Sequence, residues 1–265
     1  MSAALLASGL AAALLVGLGL GVPLLGTAHA ETGTPTPPAP TPSAALRGDT
    51  PEAAKLRDEL VTEVARRDPW ISSRVLDVLR AVPRHLFMPG AGLFEAYGNH
   101  AYPIGHGQTI SQPTVVAIMT DALNLTGRER VLEVGTGSGY QAAILSRLAR
   151  EVYSVEIVAP LGEEARKRLA DLGFDNVHVR IGDGYQGWPE KAPFDRIILT
   201  AAPPELPAAL VEQLADGGIL VAPLGEVDQM LYRWTKRGGT LTRESLGAVR
   251  FVPMVPASPD ESPED

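Results

Sequence analysis

The stretch Arg130 to Tyr140, RVLEVGTGSGY, restricts what this chain can fold into more than any other. Val131, Leu132 and Val134 form a short apolar run of strand-forming residues. Glycines at 135, 137 and 139 follow, and a helical pattern runs from Tyr140 to Leu148. This spells a buried strand that passes through a tight turn into a helix. Glycines in such a turn let the backbone approach a ligand at the carboxyl end of a parallel strand, where open α/β sheets bind their cofactors.

The spacing narrows the ligand. Dinucleotide sites carry G-x-G-x-x-G and place a pyrophosphate at the helix N-terminus. Here the spacing is G-x-G-x-G, and Glu133 stands inside the strand just before the turn. A carboxylate beside the loop suits a cation better than a phosphate, and S-adenosylmethionine, with a sulfonium, an ammonium and no phosphate, fits. Glu156 ends the next apolar run, Val152 to Val155, at the place where a ribose hydroxyl pair is held. Asp183-Gly184 closes a third strand-like run, Val177 to Ile181.

Beyond the turn, strands and helices alternate. Strands are predicted over 151–156, 176–181, 196–200 and 218–223, with helices over 160–172 and 205–214. Alternation of this kind means right-handed crossovers and a parallel sheet covered on both faces. Two further strand-like runs, 229–235 and 241–252, are joined through Gly238-Gly239, a hairpin signal. The expected fold is therefore α/β: a doubly wound, mostly parallel sheet of the S-adenosylmethionine-dependent methyltransferase type, with N-terminal cap helices and an antiparallel C-terminal hairpin. The cap helices are those predicted from Pro51 to Asp68 and from Ser72 to Ala81.

Composition sets the limits. The chain has 265 residues, 45% hydrophobic, enough for one sizeable domain. A formal net charge of -8 and the lack of a basic run argue against nucleic acid as a partner. With no cysteine there are no disulfides or thiolate metal sites, and no metal is expected.

Residues 1–30 contain no Asp, Glu, Lys or Arg and end in Ala28-His29-Ala30, a small-x-small pattern like a signal peptidase site. They read as a signal peptide that exports the protein, to the periplasm or beyond. They also suit a membrane anchor through residues 3–26, because the apolar run is long enough to span a bilayer. A misassigned start, with the protein cytoplasmic, is the third reading. Residues 31–50 are a Pro- and Thr-rich linker, 51–256 the folded domain, and 257–265 an acidic tail expected to be disordered.

The segment from Val82 to Gly107 reads as a long irregular loop of the kind that carries function. It leads into Gln108-Thr109-Ile110-Ser111-Gln112-Pro113, with Pro113 opening another helix. On position alone, Thr109 or Ser111 serves as that helix's N-cap.

With these residues assembled, the chain resembles the protein-L-isoaspartate O-methyltransferases, in particular their bacterial form. The likeness covers nearly everything from Arg74 to Val255. It is carried by Val82-Pro83-Arg84-His85, by Pro103-Ile104-Gly105-His106-Gly107 running into the G-Q-T-I-S-Q-P stretch, and by the glycine turn. Gly182-Asp183-Gly184, Gly187-Trp188-Pro189, Leu199-Thr200-Ala201-Ala202-Pro203 and Phe251-Val252-Pro253 add to it. The resemblance implies methyl transfer from S-adenosylmethionine to the free α-carboxylate of L-isoaspartyl residues in damaged proteins and peptides. It implies that Ser111 lies against the acceptor carboxylate, which leaves Thr109 as the better cap. Gly135, Gly137 and Gly139 would approach the methionine part of the donor, with Glu133 toward its amino end, Glu156 at the ribose, and Asp183 and Gly184 at the adenine. Thr200 and Ala201 would line the methyl-transfer site. The sequence departs from the family at Asn99-His100-Ala101-Tyr102, where a leucine-containing approach to Pro103 is more usual, a change that bears on acceptor preference. Two other readings are a methyltransferase with a small-molecule acceptor and an exported, non-catalytic binding protein. The protein is expected to act as a monomer.

Overall fold

In the computed structural model, which describes residues 46–257, an N-terminal cap precedes the sheet. The leader, most of the linker and most of the acidic tail lie outside the described residues, among which no helix is long and apolar enough to cross a membrane. Helix α1 (Pro51–Arg67) begins with Pro51 in its first turn, and Thr50 Oγ1 accepts from Ala53 N, so one of the four N–H groups that a helix start leaves free is satisfied. Helix α2 (Ser73–Ala81) buries Val75, Leu76, Val78 and Leu79, the face its spacing predicts. Gly48 and Asp49, which composition groups with the linker, are bonded to this cap. Arg57 pairs with Asp49 at 2.8 Å and donates to Tyr97 Oη, while His85 Nε2 lies 3.2 Å from Gly48 O.

The segment read as an irregular loop contains regular structure. It holds a 3-10 turn (Arg84–Phe87), the one-turn helix α3 (Leu93–Ala96) and strand β1 (Tyr102–Gly105). Strand β2 (Gln108–Ile110) pairs antiparallel with β1. His106 and Gly107 turn this hairpin with φ of 52° and 71°. Strands this short, mixed with Pro and Gly, give no readable alternation. Helix α4 (Pro113–Ala122) follows, but neither Thr109 nor Ser111 caps it. Asn99 Oδ1 reaches across from the preceding segment and accepts from Thr114 N at 3.2 Å and Thr114 Oγ1 at 3.0 Å.

The sheet is built from β3 (Arg130–Val134), α5 (Tyr140–Ser146), β4 (Glu151–Glu156), α6 (Ala159–Asp171), β5 (Val177–Ile181) and β6 (Phe194–Leu199). Helix α7 (Ala208–Gln213), β7 (Leu214–Leu224), β8 (Met230–Arg237) and β9 (Thr240–Ala248) complete it. The seven strands run in the order β5-β4-β3-β6-β7-β8-β9. Strands β3 to β7 pair parallel, whereas β8 and β9 join antiparallel. The chain winds outward from β3 to β5, then crosses back to lay β6 on the other side of β3. That reversal opens a crevice beyond the carboxyl ends of β3 and β6, where ligands of doubly wound sheets bind. Two apolar layers enclose the sheet. Val131, Ile198 and Val152 belong to the layer that packs the cap helices, and Leu132, Val134 and Leu199 to the layer under α7.

Candidate active site

The crevice holds an open cleft. Its floor is the glycine turn. Gly135 and Gly139 have φ of 98° and 85°, and each is pressed by a neighbour. A Cβ on Gly135 would lie 2.3 Å from Thr200 Oγ1, and one on Gly139 would lie 3.2 Å from Leu169 of α6. The first glycine lets the turn close against the end of β6, and the third lets α6 pack beneath it. Thr200 Oγ1 fixes the first contact by donating to Gly135 O at 2.6 Å. At the end of β4, Glu156 Oε2 accepts from Gly137 N at 2.7 Å and Oε1 from Val158 N at 3.0 Å.

Of the residues singled out in the sequence, Ser111, Gly135, Gly137, Glu156, Gly184, Thr200 and Ala201 are brought together on the cleft wall. Glu133, Gly139 and Asp183 do not line it. Asp183 Oδ1 accepts from Tyr185 N at 2.8 Å and caps the 3-10 turn that starts at Gly184, so the aspartate shapes the turn and the glycine faces the cleft. Glu133 is wholly buried behind the glycine turn, hydrogen-bonded to Ser154. Burial pushes its carboxyl up to about 8; the Ser154 hydrogen bond opposes this and the negative charge of Glu156 adds to it. Neither His85 nor His106 lines the cleft.

Sequence reasoning passed over Thr136, Ser138 and Tyr140 in and after the turn, and the whole C-terminal contribution, Val252 to Val255. This last segment runs back to the cleft. Ala202 N donates to Val252 O at 2.9 Å and Met254 N to Ala202 O at 2.8 Å, while Tyr185 Oη donates to Met254 O at 3.1 Å. No periodic signal marks it, because it lies in the cleft wall as a single extended strip. The Phe251-Val252-Pro253 motif was the available hint.

Among the described residues, no lysine, arginine or histidine lines the cleft, and Glu156 is its one carboxylate. Such a wall offers no side-chain cation to a phosphate and suits a cationic ligand with a polyol to hold. The residues present therefore fit S-adenosylmethionine.

The comparisons with known proteins agree with the geometry. The family model described as Protein-L-isoaspartate(D-aspartate) O-methyltransferase (PCMT) matches residues 55–258. A protein-L-isoaspartate O-methyltransferase of Dictyoglomus thermophilum is 55% identical over 207 residues, 78% of this chain and 94% of that protein. One from a Polaromonas species is 49% identical over 206 residues, 77% of this chain and 97% of that one. Among solved structures, a protein-L-isoaspartate O-methyltransferase superposes with a TM-score of 0.69 at 29% identity, over 74% of this chain and 65% of that one. The Plasmodium falciparum β-aspartate methyltransferase in complex with S-adenosyl-L-homocysteine gives 0.67 at 26% identity, over 75% and 98%.

Proposed function

Given that the chain belongs to the protein-L-isoaspartate(D-aspartate) O-methyltransferase family, we propose the following division of labour within its cleft. The protein methylates the free α-carboxylate of L-isoaspartyl residues in damaged proteins and peptides. The ester then loses methanol as a succinimide forms, and hydrolysis of that ring restores part of the normal aspartyl linkage. S-adenosylmethionine supplies an electrophilic methyl group carried on a sulfonium.

This chain's own residues hold and orient. The turn at Gly135 and Gly137 receives the methionine part of the donor, supported from behind by Gly139 and Glu133. Glu156 holds the ribose and Gly184 meets the adenine on the turn that Asp183 caps. Thr200 and Ala201, beyond the end of β6, form the wall of the methyl-transfer region, and Ser111 donates a hydrogen bond to one acceptor oxygen while the other is left to react. A carboxylate of ordinary pKa, roughly 4, is ionised at neutral pH, so no base is needed beside it. Catalysis then rests on alignment, which in well-oriented reactions supplies about 7 to 11 kcal/mol. The observation that carries the reading is the wall itself, which among the described residues holds one carboxylate and no lysine, arginine or histidine, and which brings Ser111 together with the glycine turn.

The test is methyl transfer from labelled S-adenosylmethionine to two peptides that differ only in an isoaspartyl or aspartyl linkage. Label in the isoaspartyl peptide alone is expected. Label in neither, with donor binding intact, would move the assignment to a small-molecule acceptor. For residues 1–30 the charge-free apolar composition supports export or anchoring. The N-terminal mass of the protein isolated from cells separates cleavage after Ala30 from retention. The protein is taken to act as a monomer.

A further inference from the structure

Behind the glycine turn the fold buries a carboxyl group that, among the described residues, no cationic side chain pairs with. Glu133 has no exposed surface, Ser154 of β4 is hydrogen-bonded to its Oε2, and its Oε1 has no hydrogen-bond partner among the described residues. Ser154 Oγ lies 2.6 Å from Thr136 Oγ1, and Thr136 lines the cleft. These groups form an unbranched hydrogen-bonded chain from a sealed carboxyl to the cleft wall. Around Glu133, β4 presents Ser154 and Glu156, β6 presents the apolar Ile198 in register, and the turn presents Thr136. Among the described residues Glu156 is the charged group whose field reaches it, and that charge is negative.

Each hydroxyl in the chain has a single hydrogen, so the chain has two polarities. With Glu133 ionised, Ser154 donates to the carboxylate and Thr136 donates to Ser154, leaving the Thr136 lone pairs available to a ligand. With Glu133 protonated, the carboxyl donates to Ser154, Ser154 donates to Thr136, and the Thr136 hydrogen is what a ligand meets. The first polarity accepts from an ammonium, and the second opposes it.

Resting on the donor reading above, we propose that Glu133 is a proton-linked positioning residue. It is a carboxylic acid in the free protein and releases its proton when the ammonium at the amino-acid end of the donor binds at the turn, reversing the chain so that Thr136 accepts. The balance is simple: acid-form protein plus ammonium ligand gives carboxylate-form complex plus one proton to bulk water, with no covalent bond to carbon altered. The burial that pushes this carboxyl up to about 8 keeps the free protein in its acid form at neutral pH.

Calorimetric titration with S-adenosylhomocysteine, which has the same ammonium and is not consumed, counts these protons when run at pH 7 in two buffers of different ionisation enthalpy. The wild type is expected to release about one proton more than E133Q, whose amide retains a bond to Ser154 but has no acid to lose. Wild-type affinity should rise up to about tenfold per pH unit relative to E133Q and level off above pH 8. T136V cuts the chain while keeping Glu133, so it too should lose the release, and it carries the comparison if E133Q fails to fold. Equal proton counts in the wild type and the folded variants would overturn the proposal and leave the donor assignment standing. Failure of S-adenosylhomocysteine to bind the wild type would overturn both.

Discussion

Ser111 follows strand β2 directly and sits on the cleft wall, where its hydroxyl is the only part of the residue with chemistry to offer. A hydrogen bond to a charged acceptor contributes about 1.5 to 3 kcal/mol. Ser111→Ala should therefore lower turnover on an isoaspartyl peptide by roughly 10- to 100-fold. Its affinity for S-adenosylhomocysteine should stay within about twofold, since the donor meets other residues. Initial rates set against a binding titration check this, and unchanged turnover would remove Ser111 from the mechanism. At this scale much was legible in the sequence. Gly135, Gly137 and Glu156 could be placed because their chemistry is local, a turn and a strand end. Glu133 and Asp183 were read as facing the ligand, and neither lines the cleft, for reasons of local geometry that a motif does not encode. Glu133 shares the face of Val131 on a strand covered on both sides, so its carboxyl is sealed in the sheet. Asp183 is held by the N–H of Tyr185.

At the scale of elements, the contact that links acceptor segment to helix is Asn99. Its Oδ1 takes the first free N–H of α4, its Nδ2 donates to Glu63 Oε1 at 3.2 Å, and Gln112 Nε2 donates to its carbonyl at 3.0 Å. Asn99 is thus a cap supplied from a distance, which ties α1, the hairpin approach and α4 together beside Ser111. Asn99→Ala should cost about 1 kcal/mol in a denaturant melt, the worth of a helix cap. It should also raise KM for the isoaspartyl peptide without changing S-adenosylhomocysteine affinity. An unchanged melt and KM would show the tie to be idle. Long-range caps of this kind escape sequence reading, because the rule looks for Ser, Thr, Asp or Asn immediately before the helix, and here the asparagine comes from beyond an entire hairpin. The sheet was the easier part: β4 was predicted at its observed bounds, since hydrophobic runs between glycine turns are long and repeated there.

At the scale of the molecule, the cleft is assembled from distant stretches of chain: the hairpin and Ser111, the ends of β3, β4 and β6, and the strip Val252 to Val255. Removal of everything after Arg250 should leave the far-UV circular dichroism close to that of the full chain, because all seven strands remain. It should abolish S-adenosylhomocysteine binding, because Met254 packs against Gly184 and the Ala202 pairing is lost. Retained binding would show that the strip is only a neighbour. The strip also sets an order of events during synthesis. Every strand of the sheet leaves the ribosome before it does, so a nascent chain has the scaffold of a methyltransferase before it has a place for the methyl donor. On this reading competence to react arrives with the last segment of the domain, and a chain halted just after β9 would carry the whole sheet without this wall of the cleft.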